Sequence, residues 1–377
     1  MEETQLAQVT AAARTSQGRA TLSRVLKYMG VRLVTLFITA VIGVFLTILI
    51  ANMGGYVDEI RRGEIREDIS QAANTNPAIR ALPYTEKIAW MEDQIALRER
   101  AAGLDKPFLI RAVSFLSDAL TLDLGRALKM SSDSGSQLVR DIILERLPST
   151  LVLFGTSQFL LFFIQVGIAL SISRRYGSFW DKVFITLAPS STAPAWFYGI
   201  FLILFFASAL KLLPFGGMVA APPPENPLDY FLSLLKHMLL PLLALSLNSV
   251  FLSVYTWRTF FLIYATEDYV EMAKAKGLSS RAIERRYVMR PTLPTIVTNF
   301  ALGLLYVIGG APIMETIFLW PGLGQTTVRA IGQYDSPVII GSTVIFAYML
   351  AITVFVLNLV YVLIDPRVKV GTGGSQS

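Results

Sequence analysis

Cysteine is absent from the 377-residue chain, and histidine occurs once. Disulfides and thiolate-held metal are thereby excluded. A serine nucleophile with an imidazole base would have to rest on His237 alone, and no Gly-x-Ser-x-Gly elbow presents the serine. His237 instead adjoins Lys236 at the start of an apolar run, the usual place of an interfacial side chain. No Gly-x-x-x-x-Gly-Lys-[Ser/Thr] loop is present either, because "GLGQTT" at 322–327 lacks the lysine. No catalysis, cofactor or metal is therefore expected of this chain itself. Charge is scarce as well: Asp, Glu, Lys and Arg make up 16% of the residues against 53% hydrophobic, where soluble domains carry about 25% charged.

What the chain has in quantity is long apolar runs. Crossing a hydrocarbon core of ~30 Å takes about 20 helical residues, and six runs approach or exceed that length: 33–53, 149–171, 183–210, 238–255, 295–318 and 337–364. The expectation is an all-α integral membrane protein with about six transmembrane helices. Its first run is too long and too late for a cleaved signal peptide, so it reads as an anchor. The third run is interrupted by "APSSTAP" at 188–194, whose two prolines remove backbone donors. That span should be kinked or broken, with neighbours satisfying the freed carbonyls.

Lys and Arg in the short loops set the orientation. Segments 1–32, 172–182, 258–294 and 365–377 hold 5, 3, 7 and 2 of them, whereas 211–236 and 319–336 hold 2 and 1. Both termini therefore read as cytoplasmic, and the net charge of +6 is a topology signal with no nucleic-acid partner behind it. The division that follows is a cytoplasmic tail (1–30), a first span (31–53), a small helical extracytoplasmic insertion (54–148), five spans (149–364) enclosing a cytoplasmic loop (258–294), and a cytoplasmic C-terminal tail (365–377). Within the insertion, 84–103 has Ile88, Met91 and Ile95 on one helical face, with Thr85 as N-cap and Gly103 as stop. A second helix covers 105–120, with Pro107 in its first turn. The insertion either caps the spans or docks a partner.

The stretch "DYVEMAKAKGLSSRAIERRYVMRPTLP" at 268–294 reads as two short helices. Tyr269 can anchor at the interface, and Val270, Ala273 and Gly277 share one side. Gly277 suits the left-handed end of a helix. Ser279 suits the N-cap of the next, and Leu278 can staple onto Ile283. Small residues at Ala273, Ala275 and Gly277 leave room for another surface, Arg281, Arg285 and Arg286 face water or acidic partners, and Pro291 and Pro294 should end the run. Taken alone, such a basic segment also suits membrane lipid headgroups.

"EMAKAKG" at 271–277 resembles the Glu-Ala-Ala-x-x-x-Gly loop of ABC importer permeases, with Met272 in place of the second residue's usual Ala. The wider "EDYVEMAKAKGLS" is similar to the oligopeptide/dipeptide/nickel branch. So are "LDLGRAL" (122–128) with "ILERLPSTLVL" (143–153), "METIFLWPGLGQ" (314–325) and "YVLIDPRVKV" (361–370). The resemblance covers most of 28–370, while the insertion around 58–103 departs from the family's shorter form. It implies a permease subunit, of the first-permease type, whose cytoplasmic loop is a coupling helix for a separate ATPase, carried onto Glu271, Ala273, Gly277, Leu278 and Ser279. It also implies a second homologous permease, two ATP-binding subunits that hold ATP and Mg, and an extracytoplasmic solute-binding protein. The substrate would be a peptide, or alternatively an oligosaccharide or nickel chelate. A different class, a membrane-anchored receptor or scaffold working through 54–148, would have no use for the coupling motif. Gln158, Gln165, Asn248, Asn299 and Asn358 are the polar exceptions inside the runs, with Glu315 near the outer end of the fifth. Such groups either line a pathway or hold helices together. Gln158, Asn248, Asn299 and Glu315 are the candidates for the pathway.

Overall fold

The computed structural model describes residues 29–46, 48–49, 55–309 and 312–364. The expected tails at 1–28 and 365–377 and the side chain of Asn358 lie outside the described residues. Helix α1 (Met29–Leu46) opens the described chain. It is followed by α2 (Tyr56–Thr75), α3 (Pro77–Arg80), α4 (Tyr84–Ala101) and α5 (Phe108–Leu120). Helix α6 (Val139–Thr150) runs through a π-helical turn, Leu151–Gly155, into α7 (Thr156–Ser173). Next come α8 (Phe179–Leu187), a 3₁₀ turn Ala188–Thr192, α9 (Ala195–Leu202) with a π-helical end, and α10 (Pro227–Ala265). The chain then forms α11 (Asp268–Ala275), α12 (Ser280–Ile283), a π-helical turn Glu284–Met289, α13 (Arg290–Gly309), α14 (Pro312–Ile317), α15 (Leu323–Gln333) and α16 (Ser336–Ile364). Outside the helices, among the described residues, an isolated bridge pairs Arg126 with Leu138.

Among the described residues, four helices are long and apolar enough to cross a membrane: Met29–Leu46, Val139–Ser173, Pro227–Ala265 and Ser336–Leu357. A fifth is added when the bent pair Phe179–Thr192 and Ala195–Ala209 counts as one span. The remaining expected run, 295–318, falls on α13 and α14, between which residues 310–311 are not described. At 39 residues, α10 is ~58 Å long, nearly twice the ~30 Å of hydrocarbon. Its ends therefore tilt or project past the bilayer. Asn226 caps its start by accepting from the Leu228 amide at 3.0 Å, and Pro227 needs no donor there.

The break at 188–194 is real and sharp, a bend of 99°. Side chains of α9 and α10 answer carbonyls of the broken segment. Asn248 donates through Nδ2 to the carbonyls of Ala193 (2.8 Å) and Ser191 (3.4 Å), and the Tyr198 hydroxyl donates to the carbonyl of Ser190 at 2.5 Å. In return, Ser191 Oγ accepts from the Leu252 amide at 3.3 Å.

Two compact units emerge. One is built from Ile143–Arg329 together with the described residues 29–36 and 349–364. It carries an apolar cluster around Trp320, Phe318, Met238 and Leu153, and another around Phe261, Val254, Phe162 and Val288. The other unit is Phe37–Ile142 with Ala330–Tyr348. In it α2 and α4 pack about Ile69 and Ala73, and Arg62 donates to the Leu104 carbonyl at 2.9 Å. Gly103, with φ of 69°, ends α4 as expected. Pro83 rather than Thr85 precedes its first residue, since its own fixed φ of −54° leads into the helix. A cleft of about 510 Å³ lies among Ile69, Ile79, Trp90 and Arg98.

Replacing Asn248 with Leu should leave the carbonyls of Ser191 and Ala193 unpaired at a cost of about 1–2 kcal/mol. Thermal melting of the detergent-purified protein should show a lower midpoint with the helical signal intact. An unchanged midpoint would mean that the bend is held by packing alone.

Candidate functional site

Helices α11 and α12 form the module expected at 268–294. The turn between them is a Schellman motif: the Leu278 amide donates to Ala273 O at 3.3 Å and the Gly277 amide to Lys274 O at 2.9 Å. Gly277 takes φ of 72°, which an L side chain adopts only with strain. Ser279 caps α12, its Oγ accepting from the Ala282 amide at 3.4 Å. Leu278 and Ile283 share one apolar cluster, which places the expected staple.

The inner face of α11 is what attaches the module. Val270 is 1% and Ala273 2% exposed. They pack with Phe261 of α10, Ile172 of α7, Ile283, Val288 and, on α13, Ile296. Ala273 thus turns toward the chain's own core, where its small size admits α11 close to the bundle. Glu271, Met272, Ala275, Lys276 and Gly277 form the outer surface, with Met272 58% exposed. Glu271 and Lys274 pair across one turn at 2.6 Å, in full contact with water; the value of such a pair is small. Tyr269 stacks on Tyr287 at 6.5 Å between centroids. Desolvation, reinforced by Glu267, pushes the Tyr269 phenol above its ordinary value, so it stays neutral at physiological pH.

Pro291 and Pro294 do not end the run as expected. The chain continues through the π-helical turn Glu284–Met289 into α13, where Pro291 and Pro294 sit in the first turns. Both prolines thus lie within one continuous helical path, Pro294 inside α13, and the π-helical turn precedes them directly. Arg281, Arg285 and Arg286 are exposed, while Glu284 is tied to Arg174, in the loop after α7, at 2.8 Å.

A buried ion pair beside the module went unforeseen. Arg258, near the end of α10, grips Asp181 of α8 bidentately, Nε to Oδ1 at 2.8 Å and Nη2 to Oδ2 at 2.7 Å. The Gly177 amide adds a third donor at 2.8 Å, and the Tyr176 ring lies 4.9 Å from the guanidinium carbon. In the sequence, Asp181 stands just before the run 183–210 and Arg258 just after the run 238–255. Only the adjacency of α8 and α10 joins them.

The four polar pathway candidates divide. Gln158 packs against the backbone of Gly303 on α13, where an added Cβ would lie 2.0 Å from its Nε2. Asn248 serves the bend. Asn299 is exposed on α13, its Nδ2 donating to Thr295 O at 2.9 Å. Glu315 is 0% exposed. Its carboxylate accepts from Thr150 Oγ1 and from the Gln325 amide, both at 2.8 Å, while Gly322 and Gly324 crowd it too closely for any side chain. Trp320 Nε1 donates to Ser149 O at 2.8 Å beside it. Glu315 thus clasps "WPGLG" to the π-helical junction of α6 and α7. Gln165, also buried, donates to Ser249 Oγ at 2.8 Å. Among the described residues, no group of three or more His, Asp or Glu is placed to hold a metal ion.

These features belong to a membrane transport component. Residues 164–370 match the model of the family described as binding-protein-dependent transport system inner membrane component, and the chain belongs to that family. It is a multi-pass membrane protein. Among curated relatives it is 30% identical over 293 residues to the dipeptide transport system permease protein of Bacillus subtilis, covering 78% of this chain and 89% of that one. It is 30% identical over 269 residues to a putative peptide permease protein of Brucella suis biovar 1, covering 71% and 82%. The oligopeptide transport system permease protein of Bacillus subtilis is 28% identical, covering 77% and 92%. Among solved structures, an inward-facing MetNI methionine ABC transporter aligns with a TM-score of 0.47 at 15% identity, covering 59% of this chain and 96% of that chain.

An Arg258→Met variant should strand Asp181 in the bundle and cost about 3–5 kcal/mol. Combining it with Asp181→Leu should recover most of that loss in the melting temperature. Additive losses would show that the two side chains act independently.

Proposed function

We propose that this chain is one of two permease subunits of an ATP-driven importer, with peptides as its substrate. The permease relatives named for peptide, dipeptide and oligopeptide transport support that substrate class. In the proposed topology six spans run N-in/C-in, with α13 and α14 supplying the span beyond those the helix lengths define. A second homologous permease completes the pathway, two ATP-binding subunits hydrolyse ATP with Mg, and a solute-binding protein delivers substrate at the outer face. Nucleotide chemistry stays in the partners.

One observation carries this reading: the α11–α12 module is capped at its turn, buried on one face and open on the other. Val270 and Ala273 fix it to the ends of α7, α10 and α13, while Glu271, Met272 and Lys274 to Gly277 are offered outward. Such a part can receive a push from an ATPase and pass it to the spans as a rigid-body displacement. Leu278 and Ser279 preserve the turn rather than the contact. On the pathway, Asn299 is the candidate whose exposure on α13 suits a lining role. Gln158, Asn248 and Glu315 contribute by fixing the walls.

The test uses the complex purified from its native membrane in mild detergent and reconstituted in liposomes. Nothing lies within 4 Å of a Cβ built on Gly277, so Gly277→Asp should leave the permease assembled, with αL strain of about 1 kcal/mol. Peptide-stimulated ATP hydrolysis should fall at least tenfold. If no ATPase accompanies the parent chain, or if Gly277→Asp hydrolyses ATP with full peptide stimulation, the coupling role is wrong.

A further inference from the structure

We propose that α5 is an interfacial helix, seated at the headgroup–acyl boundary on the membrane face where α1 ends and α16 begins, with Ile110 and Val113 turned to lipid. Placed by sequence in an extracytoplasmic insertion, α5 packs on α1 and α16. Ala112 and Ala119 are buried in one cluster with Val44 and Ile48, at the far end of α1, and with Val344 of α16. Phe108, Leu116, Phe45, Ile340 and Tyr348 surround it.

The depth follows from hydrogen bonds at two places on the chain. Tyr348 Oη donates to the carbonyl of Leu120, the last residue of α5, at 3.1 Å. Tyr348 lies 12 residues inside α16, which begins at Ser336, or ~18 Å along the axis. Its side chain leans back toward the helix start, which lifts the contact by about a turn. The end of α5 is therefore below the mouth of α16. Afterwards the chain climbs back: the amides of Leu128, Lys129 and Met130 all donate to Oδ2 of Asp335, at 3.0, 2.8 and 3.0 Å, just before α16 starts.

The outward face suits lipid. Ile110 is 58% and Val113 61% exposed, at the depth where α1 exposes Ile42 and Leu46 to its surroundings. The one cation of α5, Arg111, is turned inward and held bidentately by Asp58, at 2.8 and 2.5 Å. Asp118 is exposed, but it lies about 110° around the helix from the middle of the Ile110–Val113 face. That places its carboxylate toward water, as in an amphipathic helix lying ~5–10 Å into the boundary. The helix adds lipid-facing area to a rim otherwise made of spans.

The absence of cysteine makes the test direct. Single variants Ile110→Cys and Val113→Cys are spin-labelled in the full complex and reconstituted in phosphatidylethanolamine/phosphatidylglycerol vesicles. Collisions with oxygen and with a soluble nickel chelate are then compared. Phe37→Cys on α1 serves as the lipid reference and Tyr84→Cys, on α4, as the water reference. Both α5 labels should match Phe37, gaining oxygen collisions and losing nickel collisions relative to Tyr84. Nickel access equal to that at Tyr84 would show a water-facing helix, and exclusion of both relaxants would show a protein partner. Either result overturns the proposal.

Discussion

A hydrocarbon interior offers a polar atom no partner except other atoms of the protein, and the permease unit is arranged around that restriction. Breaking a span at 188–194 frees carbonyls, and Asn248 and Tyr198 are the donors that answer them. Keeping Asp181 in the bundle requires Arg258, with a backbone amide to share the charge. Keeping Glu315 requires Thr150, the Gln325 amide and the small glycines beside it. Each polar device joins two or more helices, so it also fixes their relative position. Breaking a buried pair costs far more than a surface pair contributes, and this is why these few contacts determine the frame.

Mechanical consequences follow at the end of the unit where the ion pair lies. Arg258 ties α10 to α8, Glu284 ties the π-helical turn to Arg174, and the inner face of α11 closes the cluster formed with α7, α10 and α13. On the proposed reading, a load applied to Glu271–Gly277 reaches α7 and α10 through this packed inner face. The π-helical turns at Leu151–Gly155, Ile203–Ala209 and Glu284–Met289 are the irregular sites within the helices, and such turns recur at functional positions. They are where rotation of one span against another would be taken up.

Much of this was legible in the sequence where local chemistry decides it. Apolar length announced the spans, Pro189 and Pro194 announced the break, and Gly277 with Ser279 announced the turn and cap. What could not be read was which helix stands next to which. Asn248 looked like a pathway amide until its carbonyl partners on the broken span were visible, and Arg258 looked like one more inside charge until Asp181 was found beside it. Spacing puts Ala273 on one side with Val270, but only packing shows that this face of α11 points into the core. Pro291 and Pro294 suggest a stop because proline removes a helical donor, yet the helix passes through both, directly after the π-helical turn Glu284–Met289.

The central claim is that the α11–α12 module and the adjoining ends of α8 and α10 move as one body. Spin labels on Lys274 and Arg175, introduced as single cysteine pairs into the cysteine-free chain of the assembled transporter, would report their separation by pulsed dipolar spectroscopy. The distance should be the same in the nucleotide-free and ATP-bound complexes, within the width of one distribution. A shift or a second population on adding ATP would show the module swinging on its own, and the rigid connection through Val270, Ala273 and the Asp181–Arg258 pair would be refuted.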